Sequence, residues 1–232
     1  MDINLDDLPW RSVPEGMHEN EYALRIINKH LPYEPVVIEA GASNGEDTVR
    51  MKAMWPDATL YCFEPVKWLY NQLEKKAAKL PGVRTFNFAL SDFTGKTTFN
   101  LGAGSEWSSL LPDNLKNLLF PPDLVGSANS YEYVPVTVYC TSLQTWAKRE
   151  DVKAVDFLWL DAEGGELLIL KGAGDSILST VQVIAIELNF QEFRKGGAMF
   201  EDVYNFLSER GFALWHIWGR RDWQCMGIFI RG

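Results

Sequence analysis

Apolar positions along the chain follow two rhythms that alternate from start to finish. Short apolar or alternating runs at 36–39 (VVIE), 59–63, 83–90, 96–101, 131–139, 155–160, 181–188, 212–218 and 224–230 read as strands. Between them, 18–31, 46–55, 66–80, 142–149, 165–178 and 199–210 carry apolar residues at helical spacing, with stops at Pro56, Pro81-Gly82 and Gly211. Strands alternating with helices predict an α/β fold of the Rossmann-like kind, a mostly parallel sheet with helices on both faces. The last two runs are joined by the short turn GRRD and predict an antiparallel hairpin at one edge. The expected sheet has seven strands, six of them parallel, with one antiparallel edge strand. Residues 1–35 read as an N-terminal extension and helix packed on the main domain, 36–232. Residues 102–130 are rich in Gly, Ser, Asn and Pro; a connection that long in a compact domain predicts a functional loop or lid.

In such sheets the ligand sits over the carboxyl ends of the strands. The residues there are Glu39, Glu64, Ser91-Asp92, Asp161 and Glu187. After the first strand comes the turn EAGASNG, in which Gly41 and Gly45 let the backbone approach a ligand without a side chain in the way. Two glycines at a buried turn also serve packing alone, so the rest of the chain decides. Glu64 falls about twenty residues past the turn, where an acid accepts the hydroxyls of a ribose. The spacing G-x-x-x-G with Glu39 in front differs from the G-x-G-x-x-G of dinucleotide sites. A carboxylate there repels a pyrophosphate but offsets a cationic ligand. The pattern therefore leans toward S-adenosylmethionine and methyl transfer, with an NAD(P)-dependent oxidoreductase as the disfavoured alternative.

Composition narrows the picture. With 22 basic against 31 acidic residues the net charge is −9, which argues against nucleic acid as the main partner. Cys62, Cys140 and Cys225 have no CxxC spacing and suggest neither a disulfide framework nor a zinc site. The N-terminus lacks the features of a signal peptide, and no apolar run is long enough to span a membrane, so a soluble, cytoplasmic protein is expected.

The chain resembles the FkbM family of S-adenosylmethionine-dependent methyltransferases, of the class I fold, over roughly 36–212. The resemblance rests on IEAGASNGEDT (38–48), FEP (63–65), ALSD-x-x-G (89–95) and above all DAEGGE-x-x-x-L-K-G-A (161–173). It implies that Glu39, Gly41, Ala42 and Gly45 shape the pocket for the methionine end, with Asn44 donating from the turn and Asp161 close by. It also implies that Glu64 binds the ribose and that Ala89, Leu90 and Ser91 flank the adenine. Family members include O-methyltransferases of sugar and secondary-metabolite hydroxyls, so the expected acceptor is a hydroxyl on a sugar, a glycan or a related small molecule. The family commonly has Lys two residues before the Asp of this last motif; here Trp159 stands there.

Methyl transfer to an alcohol needs alignment and removal of the hydroxyl proton. Asp161, Glu163 and Glu187 are the candidate catalytic carboxylates. Trp107, Ser108, Glu166, Asn189 and His216 are candidates for the acceptor side or lid, although Glu166 at a helix start also suits a purely structural role and His216 suits a core position. Asp161, Glu187 and Asn189 offer oxygen ligands at two neighbouring strand ends and could hold Mg²⁺; a metal-free carboxylate cluster is the simpler reading. A binding module that kept the fold and lost transfer remains the other alternative.

Overall fold

Seven strands pair into one sheet, and three others form a second. The computed structural model describes residues 8–10, 12–102, 108–112, 114, 133–219, 221 and 223–232. In chain order the elements are α1 (Glu19–Ile27), β1 (Val36–Ala40), α2 (Glu46–Met54), β2 (Thr59–Phe63), α3 (Lys67–Ala77), β3 (Val83–Phe86), β4 (Ala89–Ser91), β5 (Gly95–Gly102), β6 (Tyr133–Ser142), α4 (Leu143–Arg149), β7 (Phe157–Leu160), α5 (Glu166–Leu178), β8 (Val183–Asn189), α6 (Phe200–Ser208), β9 (Phe212–Trp218) and β10 (Gln224–Arg231).

The main sheet has the order β3-β2-β1-β7-β8-β10-β9. Its first five strands run parallel, and β10 is antiparallel to both β8 and β9. The hairpin lies at one edge, as the turn predicts, but the antiparallel strand is its inner member and β9 is outermost. The bare edge of β9 is covered in turn: the Ile217 amide donates to the Pro9 carbonyl, and Trp10 bridges to Ile217. Such cover removes a template for unwanted strand pairing.

Central position explains the continuous apolar runs of β7 and β8, every residue of which is buried. Alternation sends Ile38, Leu158, Leu160, Ile184 and Ile186 toward residues of α4, α5 and α6. Val37, Phe157, Trp159, Val183 and Ala185 face the opposite way, against residues of α1 and α2. No described helix is long and apolar enough to cross a membrane.

The run 83–90 is not one strand. Pairing with β2 ends at Phe86, opposite Phe63, and the chain steps out of the sheet at Asn87. The Asn87 amide donates to the Glu64 and Pro65 carbonyls and holds that step. β4 then joins a separate three-stranded sheet of order β4-β6-β5. Gly172 of α5 brings the two sheets together, because a Cβ there would lie 2.0 Å from the Ser91 carbonyl oxygen.

Candidate active site

The end of β1 is shaped by what it must pass. Gly41 has φ +82, and a Cβ on it would sit 1.8 Å from the carbonyl oxygen of Asp161. Glycine therefore lets the ends of β1 and β7 close on each other. The amides of Gly41 and Ala42 both donate to the Phe63 carbonyl at 3.0 Å, which draws the turn over the end of β2. Ser43 adopts a left-handed φ of +48. Its amide donates to Glu64 Oε2 at 2.9 Å, and the Val66 amide donates to Glu64 Oε1 at 2.7 Å. Burial pushes the Glu64 carboxyl up to about 7, while these two amides pull it down.

A cavity of about 310 Å³ opens here, within the size range of small-molecule sites. Gly41, Ser43, Glu64, Ala89, Leu90, Ser108, Asp161 and Glu163 are on its wall, with Phe63, Val66, Leu69, Phe99, Leu110 and Ile169 supplying apolar surface. It lies at the carboxyl ends of β1, β2 and β7, as the strand order requires.

Several expected residues stand elsewhere. Glu39 is 1% exposed and projects beneath α2, where Thr48 Oγ1 donates to its Oε2 at 2.5 Å. The register sets it beside Trp159, whose ring packs with Phe157 and Trp218. Where the resemblance implies a lysine, Glu39 thus neighbours an indole, and burial pushes its carboxyl up to about 8. Ala42, Asn44, Gly45 and Ser91 stand behind the cavity wall. Gly45 is the N-cap of α2 with φ +83, and Asn44 Oδ1 accepts from the Glu46 amide at 3.1 Å and from Lys76 Nζ at 3.3 Å. His216 is buried against the Pro9 carbonyl and Tyr22 and does not line this cavity. Trp107 lies outside the described residues.

The second half of the site is acidic. Asp161, Glu163 and Glu187 each bring one oxygen to within 4.8 Å of the others. Asp161 and Glu187 share a hydrogen bond that favours the proton on Glu187. Burial pushes Asp161 up to about 6, and burial together with Glu163, Glu166 and Asp161 pushes Glu187 well above the usual carboxylate range. Glu163, whose side chain keeps 31% exposure, is raised by burial and by Asp161 and drawn back by Arg194. Glu166 takes the structural role: its Oε1 accepts from the amides of Ala162 at 2.7 Å and Gly164 at 3.3 Å.

Four contributors have no counterpart in the sequence reading. Arg194, 2% exposed, sets Nη2 3.5 Å from Glu163 Oε2 and donates from Nη1 to the Tyr133 hydroxyl at 3.1 Å. It follows the end of β8 by a few residues, so extending the strand-end rule into that loop would have found it. Ser109 Oγ donates to the Glu163 carbonyl at 2.7 Å, latching the β5–β6 connection onto a residue held at φ +53. Ser43 and Thr48 serve the two buried glutamates through a backbone amide and a hydroxyl; no periodicity marks either one.

Residues 39–214 match the model of the methyltransferase FkbM domain. The 2-O-methyltransferase NoeI of Sinorhizobium fredii (strain NBRC 101917 / NGR234) is 26% identical over 209 residues, covering 85% of this chain and 82% of that protein. Methyltransferase sdnD of Sordaria araneosa is 26% identical over 175 residues, 68% of each chain. Among solved structures, the methyltransferase FkbM from Methylobacillus flagellatus KT superposes with a TM-score of 0.54 at 13% identity, a likeness of fold. It covers 92% of this chain, which spans 55% of the length of that one. With the motifs, the sheet order and the matched span in agreement, the chain belongs to the FkbM methyltransferase family.

Proposed function

We propose that this methyltransferase uses S-adenosylmethionine and methylates a hydroxyl on a sugar, a glycan or a related small molecule. The observation that carries the reading is one cavity with Glu64 on one wall and the carboxylates Asp161 and Glu163 on another. The residues fit the cofactor. Each Glu64 oxygen takes one amide, which leaves acceptor capacity for ribose hydroxyls. Phe63, Val66, Leu69, Leu90 and Ile169 offer apolar surface for a flat base, and Gly41 leaves room for backbone approach.

When bound, the cofactor supplies an electrophilic methyl group. The chain's own task is to hold the acceptor in line and to take its proton. Glu163 suits the second task, because it lies on the wall of the main cavity and keeps part of its side chain exposed. A carboxylate raised toward neutrality is a better base than an ordinary surface acid. Asp161 and Glu187 share a proton beside it, and Arg194 anchors it from behind. The relative named as a 2-O-methyltransferase supports oxygen as the atom methylated.

Calorimetry with S-adenosylhomocysteine and with NADH tests the cofactor. Binding of the first alone is expected; binding of NADH alone would favour an oxidoreductase. A screen of hydroxylated acceptors, read by a mass gain of one methyl group, tests transfer. Cofactor binding with no product from any acceptor would favour the binding-module alternative.

A further inference from the structure

Beyond Glu163 lies a second, much smaller cavity, walled by Glu163, Glu187, Asn189, Arg194 and Gln224 among others. Its volume of about 10 Å³ is near that of one water-sized sphere, too small for an organic acceptor. Alternation along β8 puts Glu187 and Asn189 on the same side of the strand. Asn189 is 6% exposed, and its Oδ1 has no hydrogen-bond partner among the described residues. A buried carbonyl oxygen left without a donor is costly, so its presence here points to a missing ligand.

Charge says what kind. Arg194 pairs with Glu163, while Asp161 and Glu187 are held together by one shared proton, which a cation bound among the three carboxylates would displace. The neighbouring acid Glu166 is already served by two backbone amides and by the start of α5. The free ligand atoms are all oxygens, the set preferred by hard divalent cations. One oxygen from each of Asp161, Glu163 and Glu187 lies within 4.8 Å of the other two, comparable to the span of opposite oxygens around such an ion, about 4.2 Å for magnesium and about 4.8 Å for calcium.

We infer that Asp161, Glu163, Glu187 and Asn189 form a binding site for one divalent cation of the magnesium, manganese or calcium type. The set keeps Asp161, Glu187 and Asn189 from the strand-end expectation and adds Glu163.

The test uses the whole chain after treatment with EDTA, titrated with MgCl₂, MnCl₂ and CaCl₂ by calorimetry, with bound Mn²⁺ counted by electron paramagnetic resonance. One ion per chain is expected. Glu187→Gln and Asn189→Leu should each weaken Mn²⁺ binding by about tenfold or more, Asn189→Asp should bind at least as tightly as the parent, and Glu74→Gln, far from the site, should not differ. Melting curves in EDTA identify any variant that fails to fold. The absence of binding to the folded parent at millimolar cation overturns the inference. So does parental affinity in both Glu187→Gln and Asn189→Leu. S-adenosylhomocysteine is titrated into the same EDTA-treated protein. If it binds and no cation does, the cation site falls and the cofactor reading stands; the reverse result separates them the other way.

Discussion

The two halves of the site are built on opposite plans. Around Glu64 the polar groups meet backbone partners: two amides reach its carboxylate, and the Gly41 and Ala42 amides reach the Phe63 carbonyl. Around Glu163 three carboxylates crowd together, and an Asn189 oxygen has no donor among the described residues. The first half is preorganised by two adjacent parallel strands and their turns. The second is assembled from β7, β8 and the loops after them, and concentrates like charge. Rigid satisfied groups suit holding a cofactor; raised, mutually repelling carboxyls suit moving a proton.

This contrast can be attacked at several points, beginning with the largest effect. Glu163→Ala should lower turnover by about a hundredfold, the scale of a lost general base, with cofactor affinity within about threefold of the parent. Glu64→Ala should do the opposite, weakening S-adenosylhomocysteine binding by about tenfold to a hundredfold while turnover at saturating cofactor changes little. Equal loss of cofactor affinity in both variants would erase the distinction between the halves.

Gly41→Ala should lower the melting temperature by about 10 °C, since the Asp161 carbonyl oxygen occupies the place of the new methyl group. Gly16→Ala is the matched control, with φ +77 but no atom within 4 Å of the added carbon, and should cost far less. Similar losses in the two would show that backbone strain alone, not closure of β1 on β7, requires the glycine.

Glu39 probes the layer behind the turn. Its folded pKa, about 8, lies above the ordinary carboxylate value, so the folded state holds a proton that the unfolded chain releases. That contribution is fully present below about pH 4.5 and is lost as pH rises through about 8. A displacement of about 3.5 units corresponds to about 5 kcal/mol at most. Glu39→Gln, which keeps an acceptor for Thr48, should flatten the fall in melting temperature between pH 5 and 9. An unchanged slope would place the titration elsewhere. The smallest effect is expected at the latch: Ser109→Ala should cost about 1 kcal/mol, or about 2–4 °C, and raise KM for the acceptor more than it lowers kcat.

Much of the fold was legible because burial on both faces leaves a strong signature. The runs 36–39, 155–160 and 181–188 are dominated by apolar residues, and they became the neighbouring strands β1, β7 and β8. Where burial is partial the reading blurred. The run 83–90 alternates throughout, so nothing local marks Asn87 as the point where the chain leaves one sheet for another. The site divides in the same way. Glu64, Asp161 and Glu187 follow from the rule that ligands gather at strand ends. The positions of Glu39 and His216 do not, because each depends on what a different part of the chain lays against it.

By itself, the sequence determined the alternation of elements, the glycine turn, the acids at the strand ends and the motif that ties the chain to its family. These are local facts, set by side-chain periodicity and by backbone conformations that few residues tolerate. Only the tertiary structure decided that Trp159 neighbours Glu39, that Arg194 backs Glu163, and that Asn189 shares a small cavity with Glu163, Glu187 and Glu192. Each pairing joins residues far apart in the chain, and such contacts exist only once strand register and loop closure have been fixed by the packing of the whole core.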